Sequence, residues 1–478
     1  MTECTESASN LQLRFDFGLG KPVVGEFSGG AISSDGGLVL VRAADDRLGL
    51  SEQMALCLAD RRDPSYVKHC LQNLIRQRMY AIAAGYEDAN DAEVLGNDPM
   101  HRICLSKQPG GPESLASQPT ISRLENAVTA TENGFLQGLL LHSYIQRFSQ
   151  PPAHIVLDVD TTCDPVHGYQ QLSFFNGFYH KECYIPLFVF DQDGYPLLAR
   201  LRPGNFAPAE QAAADIRHIV EGLRQSFPST RIELRADAAF CNRDFYRLCE
   251  ENNVFYYIGL KSNHALRCAT KDLVERAKSE YEAIFGPANA PRGSAWRRRE
   301  ERLRFSSKRE GRMQEHFEQE RRVRLVEEIS YQARSWEFER RVICRCDYTE
   351  EGPELRFIVT NSSSKRPKWV YESKYCRRGQ CENWIKELKY IDCDRLSCQE
   401  FEANQFRLLL HTFAYILLRH LRELLPKRQP MISVGTLRLR LIKIGVLVRE
   451  SARRALLQWS STCPWQNEFL ALHAVMQT

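Results

Sequence analysis

Apolar and polar positions change rhythm along the chain, and each rhythm predicts its own kind of element. Up to about Leu105, glycine-rich turns such as GEFSGG and SSDGG separate stretches with helical spacing. Residues 64–84 are the clearest of these, with Val67, Leu71, Leu74, Ile75 and Ile82 on a helical repeat. After the break SKQPGGPESLASQP, residues 120–148 return to helical spacing behind a polar, proline-edged start. The phrase SQPTISRLEN there fits the start of a DNA-reading helix and fits equally a helix that packs onto its neighbour. Residues 1–150 are expected to form a mostly helical, DNA-binding region.

From His154 the apolar runs shorten into strands: IVLDVD, QLSFFNGFY, IPLFVFD and PLLARLRPG. A helix over 208–227 follows, with Ala212, Ile216, Ile219 and Leu223 on one side, then strand IELRAD, a helix over 243–251 and strand VFYYIGL. The order β-β-β-α-β-α-β predicts an α/β fold with a ribonuclease H-like core, a mixed sheet in which three antiparallel strands are continued by parallel ones and helices cover the faces. Residues 151–267 begin this core, and residues 359–426 close it. Between them, 268–358 hold the charged runs RRREERLRF, KREGR, EQERRVRLVEE and FERRVICR. Alternation around Trp336, Phe338, Val342 and Cys344 makes this stretch a basic, partly β insertion, whose arginines either face solvent or grip phosphates. Residues 427–478, with TLRLRLIKIGVLVRESARR, read as a basic helical region.

Composition narrows the class. A chain of 478 residues is too long for one ordinary domain, and its 43% apolar and 26% charged content excludes a disordered chain. Net charge is +4, from 64 basic and 60 acidic side chains, and decides nothing about a polyanionic partner. The most lipid-like stretch, 408–425, is interrupted by His411, Arg419, His420, Arg422 and Glu423, so it reads as a buried amphipathic helix. The first residues carry acids where a secretory signal needs a cationic start and an apolar core, so a soluble, cytoplasmic protein is expected. Sixteen cysteines include no C-x2-C pair, and Cys376, Cys381, Cys393 and Cys398 are spaced poorly for zinc. Reduced, scattered thiols are the expectation.

Carboxylates carry the candidate chemistry. In IVLDVD, Asp158 and Asp160 are two apart and share a strand face, and IELRAD likewise ends in Asp237. In a sheet of the predicted kind the carboxyl ends of these strands lie side by side, so the acids converge. Clustered carboxylates raise one another's pKa unless positive charge sits between them. Two magnesium ions resolve that cost, one activating the attacking oxygen and one stabilising the leaving oxygen of a phosphodiester displacement. For a third acid, YCRRGQCENWIKELK offers Glu382 and Glu387. Spacing favours Glu382, because Arg378, Glu382 and Lys389 recur on one helix face and flank the acid with two phosphate-binding cations.

The pattern Y-x2-R-x3-E-x6-K from Tyr375 to Lys389, downstream of D-T-T at Asp160 and R-A-D at Asp237, resembles the DDE transposases of the insertion-sequence 4 superfamily. GYEDANDAEVLGNDP, SQPTISRLEN, HGYQQLSFFNGFY and LRPGN are similar to the branch typed by insertion sequence 1380. The resemblance runs from about Phe15 to beyond Gly445. It implies Asp160, Asp237 and Glu382 as the catalytic, metal-holding triad and Tyr375, Arg378 and Lys389 as contacts to DNA phosphate. It also implies Mg2+, with Mn2+ able to substitute, double-stranded DNA as substrate at element ends and target, a dimer on DNA, and action at a bacterial nucleoid. The motif DVDTTCD leaves Asp158 and Asp164 competing with Asp160, and His167, Lys261 and Asn263 stand near enough in sequence to be considered. The competing functions are a nuclease or resolvase without strand joining, and a catalytically idle DNA-binding derivative.

Overall fold

The computed structural model describes residues 12–209, 211–287, 321–426 and 431–477. The arginine runs RRREERLRF and KREGR lie outside the described residues.

Local signals set the helix ends of the N-terminal part. Short strands β1 (Leu13–Phe15), β2 (Val23–Gly25) and β3 (Ile32–Ser33) precede α1 (Leu38–Leu48) and α2 (Leu50–Leu56), which part at Gly49, where φ is 65°. Within 64–84 the helix is shorter than its spacing predicts: Pro64–Tyr66 is one 3-10 turn capped by Asp63, and α3 is Leu71–Ala84. After α4 (Asp91–Leu95) and α5 (Pro99–Cys104), the run 120–148 divides into α6 (Gln118–Ala127) and α7 (Ala130–Gln146). Thr129 and Glu132 form a capping box that starts the second helix. The SQPTISRLEN helix is packed on one side: Ile121 and Leu124 are buried, and Glu125 is buried between the guanidiniums of Arg78 (2.7 Å) and Arg407 (3.4 Å).

The sheet follows. In chain order come β4 (His154–Thr161), β5 (Asp164–Pro165), β6 (Phe174–Asn176), β7 (Lys181–Tyr184), β8 (Leu187–Asp191), β9 (Pro196–Arg200), α8 (Ala212–Ser226) and β10 (Arg231–Ala236). Then come α9 (Arg243–Glu251), β11 (Phe255–Leu260), α10 (His264–Ala269), α11 (Lys271–Phe285), β12 (Val323–Tyr331), β13 (Arg340–Thr349) and β14 (Gly352–Thr360). Among the described residues, eight strands make one sheet in the order β9-β8-β4-β10-β11-β14-β13-β12. Strands β9, β8 and β4 are antiparallel, while β10 and β11 run parallel to β4, as α8 and α9 return the chain. A large mixed sheet flanked by helices is therefore the architecture. The described part of the basic stretch adds an antiparallel meander, β12 to β14, bonded directly onto β11 instead of forming a sheet of its own.

Two expected elements are corrected. QLSFFNGFY does not join the main sheet; its centre is β6, in a small separate sheet of order β5-β7-β6. The positive φ of Leu172 and His180 and the turn after Asn176 break it into pieces too short for a core strand. The C-terminal region is not wholly helical. Past α12 (Gly379–Lys389), α13 (Phe401–Leu424) and α14 (Val434–Leu437), a hairpin of β15 (Val446–Ser451) and β16 (Arg454–Trp459) precedes α15 (Gln466–Met476). Strand β15 forms because it finds a distant partner, β3 near the start of the chain.

Helix α13, with 24 residues and a length of roughly 36 Å, packs against α1, α3, α6, α7 and β9. It is covered on nearly every side rather than along one stripe, and its His411, Arg407 and Arg419 are buried with it. One apolar cluster runs from Leu38 to Leu472, so the helical and sheet parts share a core. Among the described residues no helix is long and apolar enough to cross a membrane.

Candidate active site

The register of two parallel strands places the first two acids. Strand β4 lies beside β10 with Asp158 opposite Arg235 and Val159 opposite Ala236, so Asp160 and Asp237 follow as neighbours at the carboxyl ends. Asp158 and Asp160 meet different surroundings. Asp158 is fully buried and takes a two-pronged ion pair from Arg235, at 2.6 Å from Nε and 2.5 Å from Nη2. Asp160 instead receives Arg378 Nη1 at 2.9 Å and the N–H of Thr161 at 2.9 Å. Burial pushes the Asp160 carboxyl up to about 6; Arg378 opposes the rise, and the charges of Asp237 and Glu382 add to it. Asp237 accepts the Ala239 N–H at 2.8 Å and so caps the 3-10 turn Ala238–Phe240.

A helical passage of changing pitch brings the third acid. A π-turn, Val370–Tyr375, and a 3-10 turn, Cys376–Arg378, run into α12, whose first turn carries Glu382. Arg378 Nη2 donates to Glu382 Oε1 at 3.0 Å, so one guanidinium bridges Asp160 and Glu382. The Glu382 side chain is 55% exposed and Asp160's 11%. Among the described residues no three of His, Cys, Asp and Glu stand as a ready cage for a metal ion. The acids here offer oxygen alone, and Arg378 marks the space between two of them as one where positive charge is stabilised.

Tyr375 closes the site from the side. A Cβ on Gly259 of β11 would fall 2.8 Å from the Tyr375 hydroxyl and 2.7 Å from the Ala238 nitrogen, so only a glycine lets this hydroxyl and the Asp237 turn approach the strand together. Burial, aided by Asp237, raises the Tyr375 pKa against the pull of Arg378.

The other candidates go elsewhere. Lys389, seven residues past Glu382 and so ~10 Å along α12, is not drawn into the cluster. Its Nζ donates to the Cys163 carbonyl at 2.9 Å and pairs with Asp164 at 3.2 Å and Asp394 at 3.5 Å. Asp164 is buried, which pushes its carboxyl up to about 7 against the pull of Lys389. Glu387 accepts from Arg422 Nη1 and the Val434 N–H, tying α12 to α13 and α14. Asn263 caps α10, and His167 and Lys261 are exposed. Of the four spaced cysteines, Cys381, Cys393 and Cys398 are buried free thiols and Cys376 is exposed.

Residues 15–478 match the family model described as Transposase DDE domain group 1. The chain belongs to this DDE transposase family. Among solved structures it is similar to the one titled "Cryo-EM structure of piggyBac transposase synaptic complex with hairpin DNA (SNHP)", at 10% identity and a TM-score of 0.39, covering 85% of this chain and 79% of that one. Nothing matches among curated proteins. In this DDE transposase chain, spacing alone passed over the residues that seat the glutamate segment on the sheet. Glu233 of β10 receives Lys374 Nζ at 3.0 Å on both oxygens, and Arg235 Nη1 reaches the Lys374 carbonyl at 3.3 Å. Although burial works against its charge, His154 and Lys374 hold the Glu233 carboxyl down at about 2. A signal was present: with IVLDVD and IELRAD aligned by their terminal acids, Asp158 faces Arg235.

Proposed function

We propose that this DDE chain cuts DNA at the ends of a mobile element and joins those ends to target DNA, as a cut-and-paste transposase of the insertion sequence 1380 branch with a ribonuclease H-like core. The observation that carries this reading is the convergence of Asp160, Asp237 and Glu382 around Arg378 at the carboxyl ends of β4 and β10. The strand order, three antiparallel and then two parallel, supports the fold assignment.

DDE transposases usually use divalent metal ions, and oxygen-only donors suit magnesium or manganese. Asp160, Asp237 and Glu382 are the residues that would hold them. Bound there, a pair of such ions supplies activation of the attacking oxygen and stabilisation of the leaving oxygen in phosphodiester displacement. Arg378 offsets part of the charge of Asp160 and Glu382, and its guanidinium would also fork a phosphate brought to the cluster. Tyr375, whose pKa Asp237 helps raise, would donate to a phosphate oxygen. Lys389 adds positive charge farther along α12, where the DNA backbone would pass. Double-stranded DNA is the partner this implies, and pairing two element ends asks for two such sites, hence a dimer on DNA.

The test is strand cleavage of element-end DNA with magnesium. Asp237→Asn should cut at least ~1,000-fold more slowly while binding DNA as the wild type does. Equal cutting by that variant would overturn the assignment. A nuclease or resolvase needs the same acids, and strand transfer from precut ends separates it from a transposase.

A further inference from the structure

The small sheet β5-β7-β6 stands apart from the core and exposes aromatic rings that no packing among the described residues explains. Tyr169 is fully exposed, Phe178 is 83% exposed and Phe175 62%. Large rings left in water on one small element normally mark a contact surface. These are held on a rigid support. Asn176 Oδ1 accepts the N–H groups of Phe178 (3.0 Å) and Tyr179 (3.2 Å), and Asn176 Nδ2 donates to the Gly204 carbonyl at 2.8 Å. Gly204 lies so close beneath that a Cβ there would fall 2.5 Å from the Phe174 carbonyl oxygen. At the base of the flap, the Gln171 N–H reaches the Gln399 carbonyl at 2.9 Å and Gln170 Nε2 the Leu396 carbonyl at 2.7 Å.

The rings lead into the candidate active site. Phe178 meets Tyr179 edge-on with centroids 4.9 Å apart, and the sheet that carries them starts at Asp164, four residues past Asp160, where Lys389 of the glutamate helix pairs with it at 3.2 Å. Across residues 164–184 the charged or protonatable groups besides the tyrosines and Cys183 are His167, His180, Lys181, Glu182 and Asp164, the last already paired with Lys389. Rings interleaved with cations beside a phosphodiester-cutting centre suit single-stranded nucleic acid, whose bases stack on aromatic faces while its backbone takes the charge. A base inside a duplex has its faces covered by its neighbours, so the flap selects bases that are out of the stack.

We propose that the β5-β7-β6 flap is a stacking platform that holds unpaired DNA bases next to the carboxylate cluster, Phe175 and Phe178 supplying the ring faces. This rests on the transposase reading and adds to it a preference for locally unpaired DNA.

The full chain is tested in EDTA, so that nothing is cut, with a short duplex carrying a single-stranded tail labelled with 2-aminopurine and with its blunt counterpart. The wild type should quench the tail's fluorescence and bind tailed DNA about 5- to 100-fold more tightly than blunt DNA. Phe175→Ala with Phe178→Ala should erase both effects while leaving blunt-duplex affinity and thermal unfolding unchanged, and Phe178→Trp should retain them. Persistence of the preference in the double alanine variant, or no preference in the wild type, overturns the proposal. So does a double variant that alters only self-association in sedimentation, since a second copy would then be the occupant. Failure here with Asp237→Asn still inactive removes the platform alone; normal cutting by Asp237→Asn removes the transposase reading whatever the flap does.

Discussion

Asp158 and Asp160 have the same chemistry, the same strand and the same face, yet only one stands in the carboxylate cluster. Their neighbours decide: Asp158 is consumed by Arg235 inside the sheet, and Asp160 by Arg378 at its edge. Substitution should therefore separate them. Asp158→Asn leaves Arg235 buried without its anion and should cost ~3–5 kcal/mol in urea unfolding, with loss of cutting following loss of fold. Asp160→Asn should abolish cutting without lowering stability. Burial raises both carboxyls to about 6 from an ordinary 3.8, so the contrast lies in the cation left behind. Arg235 is buried with Asp158, whereas Arg378 keeps Glu382 when Asp160 loses its charge, and the sign at Asp160 follows from the rise alone. The unfolded chain gives up this proton first, so ionisation erodes stability as pH rises from about 4 to 6 and the erosion is complete above that. In EDTA above pH 6 the asparagine variant should equal the wild type or exceed it by up to ~3 kcal/mol. Matching unfolding curves for Asp158→Asn and the wild type would show that the Arg235 pair is dispensable.

Helix α12 delivers Glu382, and its position depends on contacts that helical spacing does not report. Its Trp384 lies against the turn between β8 and β9 at Gly194, where φ is 85° and a Cβ would fall 2.5 Å from the indole ring. Gly194→Ala should thus be strained twice, by backbone conformation and by overlap, costing ~2 kcal/mol or more in unfolding and slowing cleavage more than DNA binding. A variant with wild-type stability and cleavage would mean that α12 tolerates displacement. At this scale the face shared by Arg378 and Glu382 was legible, because an i, i+4 pair depends on helix geometry alone. Lys389, on the same repeat, stands apart from the cluster for a reason that repeat does not carry: it pairs with Asp164, a contact that joins residues 225 positions apart. The change of pitch through Val370–Arg378 was likewise invisible, since it answers to Glu233 and Arg235 on another strand.

Across the whole molecule, two segments some four hundred positions apart in the chain are joined. Gly36 and Gly37 donate their N–H groups to the Ile444 and Ile442 carbonyls at 2.9 and 3.0 Å, and a Cβ on Gly37 would overlap the Leu441 carbonyl. Beside them Asp35 holds His101 at 3.0 Å and Lys443 at 2.8 Å. Burial opposes its charge, but these partners bring the Asp35 carboxyl down to about 2. A carboxyl depressed on folding contributes stability above about pH 4 that is lost as pH falls through 2. Asp35→Asn should accordingly cost ~2–4 kcal/mol at pH 7 and expose the segment near Lys443 to protease; wild-type unfolding and protease resistance would show the tie to be idle. By itself, the sequence determined the helices and strands with a strong rhythm, the antiparallel-then-parallel strand order, and the acids that end β4 and β10. Periodicity and register act over a few residues, so they can be read from neighbours in the chain. Only the tertiary structure decided that the C-terminal segment is a hairpin, that β12 to β14 extend the main sheet, and that Arg378 takes Asp160. Each of these turns on partners far apart in sequence, and the free energy that selects them exists only once both are desolvated together.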